Sequence, residues 1–186
     1  MASRKGPVKK AGREDSPRIA VVVSRYNATV TDRLVLGAIE TTVRRTGRTP
    51  EVFDAPGAFE LPVLCDTVAR SGRFSGVVAL GCLIRGETIH DRVIADSVAG
   101  AIQNSMLKTG VPIAFGVLTV ENAAQARARA GGKHGNKGSE AVEALLDTIE
   151  SLSAIRDAST TRIGRKLPDK TKPRAGMKPV ARRRKG

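Results

Sequence analysis

SGVVALGCLIRGETIH, residues 75–90, contains an apolar run with no polar alternation, followed at once by a polar turn bearing glycine. A run such as SGVVALGCLI (75–84) suits a strand buried on both faces, the situation of a parallel sheet covered by helices on either side. Working outward, RIAVVV (18–23), TPEVFDA (49–55) and PIAFGVLT (112–119) read as three more short strands. Between them, Leu34, Val35, Ala38, Ile39 and Val43 are spaced as one face of a helix that stops at Gly47. FELPVLCDTVARSG (59–72) is a second helical stretch, with Pro62 in its first turn, where a missing N–H costs little. Val93, Ile94, Val98, Ala101, Ile102 and Met106 mark a third, ended at Gly110. Two more helical pieces, 121–130 and about 137–156, flank the glycine-rich AGGKHGNKG. Strands alternating with helices predict a flavodoxin-like α/β three-layer sandwich, a four-stranded parallel sheet flanked by helices.

The chain has 186 residues and a net charge of +14, and the charge belongs to its ends. Residues 1–17 carry five Lys or Arg against Glu14 and Asp15, and residues 158–186 carry eleven against Asp169 alone. Residues 18–157 hold sixteen basic and fifteen acidic residues, an almost neutral domain. Both ends are rich in Pro, Gly, Lys and Arg and lack apolar periodicity, so they are expected to be disordered arms on one folded domain. No apolar run approaches the ~20 residues of a membrane span, and no h-region of a secretory signal precedes Ile19. The expected location is the cytoplasm. Aromatics are 3% of residues, too few for a module built on many base-stacking rings. Cys65 and Cys82 make no disulfide framework, and no metal-ligand spacing surrounds them.

In an open parallel sheet, ligands bind beyond the carboxyl ends of the strands, and the unusual residues of this chain fall there repeatedly. GETIH (86–90) follows the third strand: Gly86 permits close approach, Glu87 and Thr88 stand where the third helix is expected to begin, and free N–H groups there suit an anion. Taken singly, Thr88 is more often an ordinary helix cap than part of a phosphate cradle. His90, expected one turn into that helix, can give and take a proton near neutrality, although a lone helix histidine is more often only solvated. No Ser/His/Asp or Cys/His arrangement points to nucleophilic catalysis. Arg129, Lys133 and Lys137 surround the glycine-rich kink, suited to a phosphate or to solvent. PGAFE (56–60) either aims backbone groups and Glu60 at a heterocycle or is only a turn, and Tyr26 and Phe59 either stack on a flat ring or pack in the core.

The ordered set RYN, PGAFELP, LGCLIRGETIH, VPIAFGVLTVEN and QARARAGGKHGNKGSEA resembles the 6,7-dimethyl-8-ribityllumazine synthase family over about residues 18–150. The resemblance implies condensation of 5-amino-6-(D-ribitylamino)uracil with 3,4-dihydroxy-2-butanone 4-phosphate, releasing phosphate and water, without metal or organic cofactor. It implies that Tyr26 stacks on the pyrimidine, with Asn27 of the same RYN motif in support. Ala58, Phe59, Glu60, Cys82, Leu83 and Ile84 would contact the uracil and ribityl chain, and Phe115 would come from a neighbouring subunit. It further implies that Glu87 and Thr88 cradle the phosphate and Arg129 grips it, with Lys133 and Lys137 nearby, and that His90 shuttles the proton. The family usually has Phe where Tyr26 stands, and an aromatic commonly follows its histidine, where this chain has Asp91 and Arg92.

Relatives form pentamers, some assemble twelve pentamers into a sixty-subunit shell, and association with riboflavin synthase belongs to the same picture. A pentamer is therefore expected here. The insertion-free kink RAGGKHGNKG matches the shell-forming type, while the basic residues 1–17 replace the apolar first strand of many relatives. Two other classes stand beside the enzyme: an oligomeric scaffold whose basic tails bind nucleic acid or another polyanion, and a flavin or lumazine carrier on the same fold. An assay with both substrates separates the three.

Overall fold

A computed structural model of the chain describes residues 16–163. The expectations of disorder for 1–15 and 164–186 fall outside the described residues. The chain divides into two units, 1–152 and 153–186, and everything that forms the sheet and its core lies in the first.

Strands β1 (Ile19–Ser24), β2 (Glu51–Ala55), β3 (Gly76–Ile84) and β4 (Ile113–Val120) pair in parallel in the order β2-β1-β3-β4. Helices α1 (Ala28–Thr46), α2 (Leu61–Arg70) and α3 (His90–Thr109) fill the connections. All six residues of β1 are buried. With period two, the side chains of a strand divide between two faces. Ile19, Val21, Val23, Val78, Leu80 and Cys82 meet Val30, Leu34 and Ala38 of α1, together with Val142, Leu145 and Leu146 further along the chain. Ala20, Val22, Val77 and Ala79 meet Leu61 and Cys65 of α2, and Val98 and Ile102 of α3. Unbroken apolar strands are thus explained by cover on both faces, and the expected three-layer sandwich is the observed architecture.

Element ends follow local chemistry. Gly47 and Gly110 both adopt the left-handed conformation (φ 71° and 67°) and donate to Val43 O and Met106 O, closing α1 and α3 where expected. Pro62 lies in the first turn of α2. Among the boundaries that differ from the sequence reading, three concern α1, α4 and α5. First, α1 starts at Ala28, six residues before its first predicted apolar position. Second, the fourth helix, α4, covers only Ala123–Ala128, opened by Asn122, whose side chain accepts from Gln125 N. The glycine-rich kink that follows is an antiparallel hairpin of β5 (Ala130–Gly132) and β6 (Gly135–Asn136), with Gly131 and Gly135 at φ 90° and 77°. Third, α5 (Lys137–Ile163) runs past 156, because DASTTRI contains neither Gly nor Pro to stop it. Among the described residues no helix is long and apolar enough to cross a membrane.

Candidate functional site

Three strand tips and the start of α3 enclose a cavity of about 640 Å³. The turn after β1 supplies Tyr26 and Asn27, the turn after β2 supplies Gly57–Glu60, the end of β3 supplies Cys82–Ile84 with Gly86 and Thr88, and α3 supplies His90, Asp91, Val93 and Ile94.

Each wall has a local cause. Asn27 sits in the left-handed region (φ 58°, ψ 43°) at the start of α1, yet its side chain makes no cap bond to that helix. Its Nδ2 donates instead to the Cys82 carbonyl at 2.9 Å, tying the turn that carries Tyr26 to the tip of β3. At Gly57 the absence of a side chain is used: a Cβ there would lie 2.8 Å from Glu60 Oε2 and 3.4 Å from the Tyr26 ring. Glycine therefore lets the ring and the carboxylate close over the same turn. Tyr26, Phe59 and Ile89 remain 60–72% exposed, so the cavity mouth presents large apolar surface to whatever covers it.

The third helix begins at His90, not at Glu87–Thr88, and His90 is its first residue instead of lying a turn inside. Arg92 N and Val93 N both donate to Ile89 O, which fixes Ile89 as the cap and leaves GET as a turn ahead of the helix. The Thr88 hydroxyl accepts from His90 N at 3.4 Å. The positive end of a twenty-residue helix thus opens beside His90 and Asp91, both cavity residues. Asp91, Val93 and Ile94 line the cavity but are not among the site residues read from the sequence. The signal available for Val93 and Ile94 was their i+3 and i+4 spacing from His90, which places them on its face of the helix.

Burial pushes the Cys82 thiol up to about 11, so it is protonated at neutral pH and is a wall, not a nucleophile. Cys65, deeper in the core, is pushed to about 12 by the same cause. Arg85, between Ile84 and Gly86, turns away to pair with Glu121 at 2.7 Å, and its backbone N–H donates to Val120 O, so the tips of β3 and β4 are joined twice. That pairing raises the Arg85 guanidinium further and holds the Glu121 carboxyl below its ordinary range.

Ten of the residues named from sequence therefore meet in one cavity: Tyr26, Asn27, Ala58, Phe59, Glu60, Cys82, Leu83, Ile84, Thr88 and His90. Glu87 stands exposed in the same turn without lining it. Phe115 is on β4 and 37% exposed. Arg129 and Lys133 line a different cavity, of about 740 Å³, beyond the end of β4. Lys137 opens α5 and lies 3.5 Å from Glu140 Oε2. The two cavities are walled by register partners, Cys82–Ile84 for the first and Leu118–Val120 for the second. Among the described residues lining the first cavity there is Glu60, Asp91 and His90, but no Lys or Arg. The arrangement is a slot with two exposed rings, an imidazole at a helix N-terminus, backbone N–H groups at a glycine turn and no cation of its own.

A family model described as 6,7-dimethyl-8-ribityllumazine synthase matches residues 16–153. Curated proteins bearing that name are similar over most of both chains. One from Chlorobium phaeovibrioides is 48% identical over 148 residues, covering 78% of this chain and 92% of that protein. The one numbered 1 from Caulobacter vibrioides is 43% identical over 143 residues, 76% of this chain and 94% of its own. A third, from Deinococcus radiodurans, is 44% identical over 140 residues, 74% and 90% respectively.

Proposed function

The chain belongs to the 6,7-dimethyl-8-ribityllumazine synthase family, and from that premise we propose that it condenses 5-amino-6-(D-ribitylamino)uracil with 3,4-dihydroxy-2-butanone 4-phosphate in the cavity at the strand tips. The reaction makes it a transferase of riboflavin biosynthesis. The observation that carries this reading is the convergence of segments 26–27, 57–60, 82–84 and 86–94 on one apolar slot with a histidine at its edge.

The chemistry asks for orientation and proton transfer. The pyrimidine's primary amine attacks the ketone carbonyl, water leaves to give an imine, phosphate is eliminated to unveil a new carbonyl, and the second amine attacks that carbonyl and closes the ring with loss of a second water. Two reactants held together account for ~7–11 kcal/mol of barrier in favourable cases, and no protein nucleophile is required. In this reading Tyr26 and Phe59 hold the flat pyrimidine, Glu60 and the β3 tip (Cys82, Leu83, Ile84) face its polar edge and ribityl chain, and His90 gives and takes protons beside the phosphate. Thr88, with Glu87 in the same turn, cradles that phosphate at the N-terminus of α3.

A phosphate in this cavity needs a cation, and the described lining supplies none. Arg129 lines the other cavity, and Phe115, partly exposed on β4, does not line this one. We take both to reach the cavity from a neighbouring copy, which also covers the apolar mouth at Phe59 and Ile89, within a pentamer in the cytoplasm. Sedimentation distinguishes a pentamer from a sixty-subunit shell by mass.

The test is direct. The purified chain mixed with both substrates is expected to produce lumazine absorbance and fluorescence, and a chain that forms none refutes the reading. His90→Ala is expected to lower turnover by roughly 10²–10⁴-fold, the range of general acid–base catalysis, while both substrates still bind. Equal rates in variant and wild type remove His90 from the mechanism.

A further inference from the structure

The turn between β3 and α3 is short of support. Residues 85–90 are all exposed, and a Cβ on Gly86 would meet no atom within 4 Å, so packing does little to fix where Glu87 and Thr88 lie. Inside the turn, Thr88 Oγ accepts from His90 N at 3.4 Å, long for a hydrogen bond. Among the described residues, both bonds that tie the turn to the neighbouring strand tip are made by Arg85. Its backbone N–H donates to Val120 O at 2.9 Å, and its Nη1 donates to Glu121 Oε2 at 2.7 Å. The acid at the far end of that bridge is itself anchored. Glu121 N donates to Gln125 Oε1, and Gln125 N to Asn122 Oδ1, each at 3.0 Å, so Glu121 rests on the N-terminal cap of α4. Ile84 and Val120 are register partners, and Arg85 with Glu121 continues that pairing one step beyond both strands. The first turn of α3 joins the same cluster. After the pair itself, Asp91 helps to raise the Arg85 guanidinium, and Arg92 helps to lower the Glu121 carboxyl.

We propose that Arg85 is a positioning residue for the phosphorylated substrate: braced on Glu121, it sets the turn that carries Glu87 and Thr88 in front of α3. The proposal rests on the reading that this turn cradles that substrate's phosphate. A turn held beforehand need not be ordered when the ligand arrives, which removes that cost from binding. Charge alone makes a different demand. Arg85 attracts a phosphate and Glu121 repels it, so by charge alone the loss of Glu121 would strengthen binding, whereas by bracing the loss of either partner weakens it. The two side chains are 53% and 57% exposed, so each acts on the phosphate through solvent and is screened, and the bracing effect dominates. Removing Glu121 is therefore expected to weaken handling of the phosphorylated substrate.

The experiment uses the full-length chain as wild type, Glu121→Gln, Arg85→Gln, the charge-swapped Arg85→Glu/Glu121→Arg double variant and Thr88→Ala. Rates are measured against the phosphorylated butanone at saturating pyrimidine, with inorganic phosphate titrated as a competitor. Binding of the phosphate-free lumazine product is followed by fluorescence. Glu121→Gln and Arg85→Gln are each expected to raise KM for the phosphorylated substrate and Ki for inorganic phosphate roughly two- to fivefold, the range of an exposed ion pair. Their kcat and product Kd should be nearly unchanged. The swapped pair should lie closer to wild type than either single variant, and it carries the test if a single variant fails to fold. An unchanged or lowered KM in either single variant, a product Kd that moves as far as KM, or a swapped pair no better than the single variants overturns the proposal. Wild-type KM and Ki in Thr88→Ala refute the reading of the turn itself, and the proposal with it.

Discussion

Asn27 is the residue that ties the Tyr26 turn to the tip of β3, and replacing it separates two effects. In Asn27→Ala the Cys82 carbonyl loses the 2.9 Å bond from Nδ2, a net loss of about 0.5–1.5 kcal/mol for an ordinary hydrogen bond. The residue must also hold φ 58° with a side chain that gains no local hydrogen bond there, at roughly 1–2 kcal/mol. Together these come to about 1.5–3.5 kcal/mol, and for a chain of this size each kcal/mol moves Tm by about 2–4 °C, so a fall of roughly 3–14 °C is expected. Asn27→Gly keeps the left-handed turn without steric strain and loses only the bond, plus the entropy that glycine adds to the unfolded chain. Both variants release the Tyr26 turn from β3, so both should raise KM for the pyrimidine by roughly two- to twelvefold, the same 0.5–1.5 kcal/mol expressed as affinity. Thermal unfolding followed by circular dichroism gives the first readout, and steady-state rates with the pyrimidine varied give the second. A glycine variant with wild-type KM would refute the idea that this amide sets the ring's position. An alanine variant with wild-type Tm would refute the strain and the bond together.

Gly138→Ala places a Cβ 2.8 Å from the Leu34 carbonyl carbon and closer still to its oxygen, pushing α5 off α1, where Asn136 Nδ2 donates to Arg33 O and Ser139 Oγ to Gly37 O. The expected loss is about 1–3 kcal/mol for overpacking, read as a fall in Tm, and an unchanged Tm would show that the two helices do not abut there. Hydrogen bonds from Arg70 and Ser105 hold the Asp66 carboxyl below its ordinary range, so its stabilising effect is present above the unfolded carboxylate pKa of ~3.9 and is lost as pH falls through the lower folded value. The stability gap between wild type and Asp66→Asn, measured by urea unfolding, should therefore be wide at neutral pH and narrow below about pH 4, and a gap that does not change with pH refutes this assignment.

The sheet was legible because the strands on it are covered on both faces: RIAVVV and SGVVALGCLI have no reason to be uninterrupted by polar residues unless helices lie above and below. Gly47, Pro62 and Gly110 marked helix ends through backbone chemistry that needs no tertiary context. The hairpin was not legible, since strands of three and two residues carry no alternation to detect. The start of α3 was misplaced because Glu87 and Thr88 look like capping residues, whereas the cap falls on Ile89, which has no capping side chain. The site motifs clustered at the strand tips as the topology requires, but the sequence had no means of showing that Arg129 belongs to a different cavity from His90. That depends on which side of β4 the hairpin folds back against.

The strand order also governs when the enzyme can begin to exist during its own synthesis. β1 is made first but lies between β2 and β3, both made later, and β3 in turn awaits β4. Every pairing spans an intervening helix, so loop closure comes before any reward from contact. The nascent chain must leave the ribosome well past Val120 before the slot's last supporting edge is in place. Until α1, α2 and β3 have followed it, IAVVVS is an uncovered apolar segment, open to aggregation.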